Sequence, residues 1–280
     1  MIDVQLRAMK QTDVPSAMRL TCHAGWNQTA ADWQRLLEAS PDACFVATLK
    51  NDLVGTVTTI TYEGKLSWIG MVLVDGRHRR KGIGTRLLEK AIAHLDALGV
   101  PSLKLDATPV GRQLYERLGF RHEYDIERWS LRRPVVPKTD RRAVMNIDKI
   151  LTLDRAVFGV DRTKLLASLS QVAPDLTLTA CRNSEIEGYT FGRRGSLADH
   201  LGPWIATSAT IATELLDEFL QRSERELVFV DCVTVSAMAR QLLKSRGFTF
   251  QRPLTRMYRG KNDSAGQPHF VCAILGPEFG

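Results

Sequence analysis

The residues best placed to do chemistry in this chain lie in Val72–Leu73–Val74–Asp75–Gly76–Arg77–His78–Arg79–Arg80–Lys81–Gly82–Ile83–Gly84–Thr85. The stretch reads as a buried strand, then a basic turn containing glycines, then the start of a long amphipathic helix. Such a join is a phosphate cradle. The first N–H groups of a helix have no intrahelical partner, and the helix dipole favours an anion there. Gly82 and Gly84 remove side chains that would hold a diphosphate away from the backbone. Arg79, Arg80 and Lys81 add positive charge at the same end. A basic turn capping an ordinary helix is the alternative reading of the same residues.

The spacing narrows the kind of cradle. A P-loop needs G-x-x-x-x-G-K-[ST] and a dinucleotide fingerprint needs G-x-G-x-x-G; neither is present. Arg79, Gly82 and Gly84 spell R-x-x-G-x-G instead. After a hydrophobic strand, this resembles the coenzyme A pyrophosphate loop of the GCN5-related N-acetyltransferases. A second segment, Leu114–Tyr115–Glu116–Arg117–Leu118–Gly119–Phe120, resembles the late helix of that family. There a tyrosine hydroxyl lies near the thioester sulfur and protonates the departing thiolate; Tyr115 matches it. A helix tyrosine packed on a sheet would look the same. The position where the family often carries an Asn is Thr108 here, so that cofactor contact is not carried over.

The elements around these motifs follow from periodicity. Residues 3–9 read as a strand, 13–24 and 29–39 as helices, and 44–49, 53–62 and 66–74 as strands. Thr29 is a plausible N-cap. Ile83, Leu87, Leu88, Ala91, Ile92, Leu95 and Leu98 form one apolar stripe, so a helix runs from Ile83 to Leu98 and ends at Gly99. A strand over 103–106, the Tyr115 helix and a strand over 120–131 follow. The resemblance thus covers 1–131 as a catalytic, acetyl-CoA-binding domain. Residues 132–145, rich in proline and basic residues, read as a linker.

Residues 146–280 repeat the plan weakly. Helical patterns at 147–158 and 162–172 precede strands at 176–182 and 186–193. An amphipathic helix carries Ile211, Leu215, Leu216, Phe219 and Leu220, and a strand follows at 227–231. Leu242–Phe248 echoes Leu114–Phe120 at Leu, Gly and Phe. This half has no R-x-x-G-x-G, and Leu243 stands at the tyrosine position. The expected fold is α/β with a mixed sheet: tandem acetyltransferase-like domains, each a mostly antiparallel sheet with a splayed parallel pair, the second degenerate. Ala24–Thr29, Leu201–Trp204 and Gly276–Phe279 also resemble a two-domain subgroup of the family.

Bulk properties exclude several classes. The chain has 280 residues, 44% of them hydrophobic and 25% charged, as in soluble globular proteins. No apolar run is long enough to span a bilayer. The first residues alternate like a strand and do not form a signal peptide. Cys22, Cys44, Cys181, Cys232 and Cys272 include no C-x-x-C pair, so reduced thiols and a cytoplasmic location are expected. The net charge is +7, but the basic residues are interspersed with 31 acidic ones, so nucleic acid is not an expected partner. A monomer or homodimer without a metal is expected.

The resemblance implies acetyl transfer from acetyl-CoA to a primary amine of a small molecule, amino acid or peptide. Met71, Val72, Leu73 and Val74 would pair with the pantetheine arm, and Arg79, Arg80, Lys81, Gly82, Ile83, Gly84 and Thr85 would hold the pyrophosphate. Tyr115 would act as acid. Asp106, at the end of its strand, is the first candidate for the proton acceptor; charging the N-terminus of the next helix is its other reading. Glu63 lies at the far end of a hairpin and is discounted. His23, Trp26 and Asn27 would border the acceptor, and His200, Trp204 and Asp231 could close the pocket if the halves face each other. A longer acyl-CoA as donor, or an acyl-CoA sensor without catalysis, are the competing functions.

Overall fold

The computed structural model describes residues 4–135 and 147–280. The first half runs β1 (Gln5–Ala8), α1 (Val14–His23), α2 (Ala30–Ala39), β2 (Phe45–Leu49), β3 (Asp52–Tyr62), β4 (Leu66–Val74), α3 (Ile83–Ala97), β5 (Ser102–Ala107), α4 (Pro109–Arg117) and β6 (Arg121–Arg132). The second runs α5 (Ile147–Phe158), α6 (Thr163–Val172), β7 (Leu178–Arg182), β8 (Glu185–Arg194), β9 (Asp199–Ala206), α7 (Ala209–Arg222), β10 (Leu227–Val233), α8 (Ala237–Ser245), β11 (Thr249–Gly260) and β12 (Val271–Ala273).

Local chemistry sets these boundaries. The Thr29 N–H donates to Asp32 Oδ2 at 2.8 Å, closing a capping box at the start of α2. The α3 stripe buries Ile83, Leu87, Leu88, Ala91, Ile92 and Leu95 on one face. The Thr108 hydroxyl accepts from the Gly111 N–H and Pro109 opens α4, so that helix starts at a fixed point.

All twelve strands join one sheet in the order β1-β2-β3-β4-β5-β11-β6-β10-β12-β9-β8-β7. The two halves exchange strands at its centre. β11 of the second half lies between β5 and β6 of the first, and β6 pairs with β10. A central apolar core draws on both halves, including Trp33, Leu36 and Trp68 from one and Leu166, Tyr189 and Phe191 from the other. Separate cores lie under α3 and under α7. Of the expected linker, 136–145 lies outside the described residues. Arg133 packs on the second half, its N–H and Nη2 donating to the Glu226 and Ser223 carbonyls. Among the described residues no helix is long and apolar enough to cross a membrane.

Each half contains a parallel pair that diverges. β4 and β5 pair only at Leu66–Ser102, Ser67–Leu103 and Trp68–Lys104. β9 and β10 pair only at Asp199–Val228, His200–Phe229 and Leu201–Val230. In the second half β12 fills the gap, pairing with both β10 and β9. In the first half no strand among the described residues enters it.

Candidate active site

The open cleft lies where β4 and β5 part. Opposite Val57 of β3, β4 carries two residues, Met71 and Val72, in a bulge between the pairs Thr58–Gly70 and Thr56–Leu73. Met71 has φ +50°, and its carbonyl accepts from Thr56 Oγ1 at 2.7 Å. The bulge bends β4 away from β5 and leaves its β5-facing edge beyond Trp68 without a strand partner. Backbone groups there must find partners outside the sheet.

The strand then enters the basic turn. Asp75 is clamped by Arg77, which holds its carboxyl below the ordinary range. Arg79 Nε donates to the Val74 carbonyl at 3.2 Å, and Lys81 Nζ to the Arg77 carbonyl at 3.1 Å. Gly82 takes φ +79° as the cap of α3 and offers no side chain to its first N–H groups. A Cβ on Gly82 would meet nothing within 4 Å, and one on Gly84 only Val74 Cγ2 at 3.5 Å. The protein's own packing therefore does not require glycine at Gly84. The absent side chain leaves the helix N-terminus open to close approach, and the residues present fit a diphosphate.

Tyr115 lines the other side of the cleft from α4, its ring edge-on to Phe120 at 6.1 Å between centroids. Burial pushes its hydroxyl up to about 12, so it stays protonated at neutral pH. A cavity of about 90 Å³ opens between Tyr115, the bulge at Gly70–Val72, and Trp26 and Gln28 before α2.

The wall opposite comes from the exchanged strands and the segment after β12. Across β11, β6 and β10, one row reads Arg252–Arg128–Asp231 and the next Leu254–Ile126–Val233. A third row joins Tyr124 of β6 and Arg256 of β11 to Asp106 of β5. Residues 274–280 leave the filled gap of the second half and cross to β4. There Trp68 Nε1 donates to the Pro277 carbonyl at 3.0 Å and the Tyr62 hydroxyl to the Phe279 carbonyl at 2.7 Å. Glu278 is thereby set on Gly70, inside the cavity wall. Its carboxylate is buried, lies 3.1 Å from Arg193 Nη2, and neither oxygen has a well-directed hydrogen-bond donor. Burial raises its pKa; Arg193 opposes this in part.

The profile described as "Acetyltransferase (GNAT) family" matches residues 13–120, and that described as "Acetyltransferase (GNAT) domain" matches 150–269. The chain belongs to the GNAT acetyltransferases, with two such domains. It is 24% identical over 218 residues to the uncharacterized N-acetyltransferase YitH of Bacillus subtilis, covering 76% of each chain. It is 25% identical over 260 residues to holothin acyltransferase of a Pseudoalteromonas species, covering 91% of this chain and 87% of that one. A crystal structure from Pyrococcus horikoshii shares the fold with a TM-score of 0.83 at 21% identity, over 100% of this chain and 97% of that one. The enzyme is therefore an acyltransferase of the GNAT type, and its fold is the expected mixed α/β arrangement of two like halves.

Within this GNAT fold the expected site residues divide. Met71, Val72 and Tyr115 meet at the cleft with Trp26, and Arg79–Thr85 form the turn beyond it. Asp106 lines the same cavity, but its carboxylate is not free as expected. Both its oxygens accept from Arg256 at 2.9 Å, and Arg256 stacks on Trp68 and donates to the Tyr124 hydroxyl. A carboxylate so engaged is not free to take a proton from a substrate. Nor does Asp106 cap α4, which Thr108 does.

Asn27 also differs. It is a buried clasp between the halves: its Oδ1 accepts the Leu197 and Ala198 N–H groups at 2.9 Å, and its Nδ2 donates to the Ala198 carbonyl. His23 is exposed and faces a surface cleft beside Asp75 and Arg77 rather than the cavity. Trp204 is buried in the core of the second half. Asp231 reaches the site only through Arg128, whose Nε and Nη2 donate to it at 2.8 and 2.7 Å, and His200 lies buried behind them. Arg128 and Arg252 are cavity residues to which the sequence reading gave no place, while Gln28 and Glu278 lie in the segments Ala24–Thr29 and Gly276–Phe279 that it singled out without giving either residue a role. Gly276–Phe279 was a visible signal, though nothing in the sequence said where it docks.

Proposed function

We propose that this enzyme transfers an acetyl group from acetyl-CoA to a primary amine by direct attack in a ternary complex. The observation that carries the reading is the unfilled β4–β5 gap, which runs from a bare helix N-terminus to a tyrosine hydroxyl without a hydrogen-bond partner among the described residues. The matching gap in the second half is filled by β12.

Arg79, Arg80, Lys81 and the first N–H groups of α3 hold the diphosphate. The free edge of Met71–Val74 pairs with the amides of the pantetheine arm, and a backbone N–H at the bulge polarises the thioester carbonyl. Bound acetyl-CoA supplies the activated acyl group: an N–C bond forms as the C–S bond breaks. Holding amine and thioester together in a small cavity supplies much of the acceleration. Glu278 takes the proton that the amine must lose. Its burial suits it, because a carboxylate with a raised pKa is a stronger base. The Tyr115 hydroxyl gives a proton to the departing sulfur.

Thermal unfolding with and without acetyl-CoA tests this. A ligand at a hundredfold its dissociation constant adds about 2.7 kcal/mol, which raises the midpoint by several degrees. Gly84→Gln has room to fold and should abolish the shift. Absence of any shift with acetyl-CoA or CoA would remove the reading.

A further inference from the structure

The charged groups behind the cavity pair off, with one exception. Arg35 and Arg193 both hold Asp32, at 3.1 and 2.6 Å, and Arg193 also reaches Glu278 at 3.1 Å. Arg128 is held by Asp231 through two hydrogen bonds. Asp106 and Arg256 neutralise each other on the next row. Arg252 remains. It sits on β11 directly beside Arg128, half-buried in the cavity wall, with no hydrogen bond or ion pair among the described residues. Burial and then Arg128 lower its pKa, and Asp231 and Glu278 offset this only in part. A guanidinium held half out of water beside a second guanidinium is costly unless an anion meets it.

Among the described residues no acidic side chain forms an ion pair with Arg252; Asp231 and Glu278 act on it only from a distance, each being engaged by another arginine. The cofactor's phosphates belong at the start of α3, at the other end of the cleft. Arg252 instead lies beyond the end of β5, since β5 stops at Ala107 opposite Thr255. The group that meets Arg252 therefore arrives with the acceptor. Across the same cavity stand the Glu278 carboxylate, ion-paired with Arg193 but without a well-directed hydrogen-bond donor, and a buried Gln28 Oε1 that also lacks a donor. These two acceptors suit the N–H groups of an amine.

We propose that the acceptor is a small amine that itself carries a carboxylate, with Arg252 holding the carboxylate while Glu278 and Gln28 hold the amine. This rests on the acetyltransferase reading and narrows it to amino-acid-like substrates. A planar carboxylate matches the guanidinium fork, and the cavity of about 90 Å³ suits a compact molecule.

Thiol release from acetyl-CoA, followed with a panel of L-amino acids, their carboxamides and the amines lacking the carboxyl group, tests the proposal. The acids should exceed their amides in kcat/KM by roughly 10- to 100-fold, the range expected when a charged hydrogen-bond partner is lost. Arg252→Gln should erase that preference, chiefly through KM, and leave the affinity for acetyl-CoA in calorimetry unchanged. Calorimetric titration of the best acid into the CoA-saturated protein should show its binding lost in the variant. Amides or simple amines accepted as well as the acids by the natural enzyme would overturn it. So would acetyl-CoA binding with no acid of the panel acetylated. The comparison of acids with amides needs no variant, so poor folding of Arg252→Gln would not shelter the idea. Failure to bind acetyl-CoA at all would instead strike the reading beneath it.

Discussion

Glu278 crosses β4 at Gly70: a methyl group on Gly70 would stand 2.8 Å from the Glu278 Cα and 3.2 Å from its carbonyl oxygen. Contact of this kind sets the distance between the proposed base and the bulge. Gly70→Ala should push residues 277–279 off β4, because backbone cannot yield as a flexible side chain can. The expected result is a fall in kcat of about 10²-fold, as when a reacting group is misplaced by an ångström, with acetyl-CoA affinity kept. Unaltered turnover would dissociate Glu278 from the reaction.

The Tyr115 hydroxyl makes no hydrogen bond among the described residues, so its removal separates chemistry from packing. Tyr115→Phe should unfold at the same denaturant midpoint as the natural chain within about 0.5 kcal/mol. Its kcat should drop by roughly 10²- to 10⁴-fold, the usual worth of a positioned proton donor. A variant with full turnover would show that the departing thiolate needs no proton from this side chain.

Glu278 links activity to stability with opposite signs. Burial raises its pKa in the folded chain above the unfolded value. Its contribution to stability is then present below the unfolded carboxyl pKa and lost as pH rises through the folded one. Glu278→Gln should therefore be the more stable form at neutral pH, with the gap closing on acidification below about pH 4. Its kcat should fall by about 10²-fold or more, and the acid limb of kcat/KM should vanish. Denaturant unfolding at several pH values, with matched kinetics, reads both. A less stable variant at neutral pH would contradict the assigned direction.

Asp106 gives the contrasting case. Asp106→Asn removes the charge facing the buried Arg256 and should cost about 3 kcal/mol, within the range for breaking a buried pair from one side. Stability measured by denaturation should suffer first, and turnover per folded molecule much less. An Asp106→Asn protein of normal stability and negligible turnover would return Asp106 to the role of base.

The parts legible in the sequence are those whose chemistry is local. The Arg79–Gly84 and Tyr115 motifs are visible in a few consecutive residues, and the α3 stripe needs only its own period. β9 was missed because Gly202 and Pro203 interrupt its pattern, and proline is rare inside a paired strand. Asn27 and Asp106 have types and positions suited to a site, yet their partners Ala198 and Arg256 come from the other half. Arg252 and Glu278 pose the converse problem. Nothing near Arg252 in sequence suggests chemistry, and Gly276–Phe279 stands out without revealing where it docks; the strand exchange brings the first to the cleft and the crossing of residues 274–280 to β4 brings the second.

That exchange also governs when the enzyme can come into being. β5 waits for β11, whose Thr255 and Arg256 pair with Ala107 and Asp106 across more than half the chain. The cavity wall then needs residues 277–279, which emerge from the ribosome later still. Contacts so distant in sequence form slowly. Until they do, a nascent chain can have its Arg79–Gly84 turn and Tyr115 but neither Arg252 nor Glu278 in place. Such a chain could hold the donor without spending it, and catalytic competence would arrive in one late step of folding.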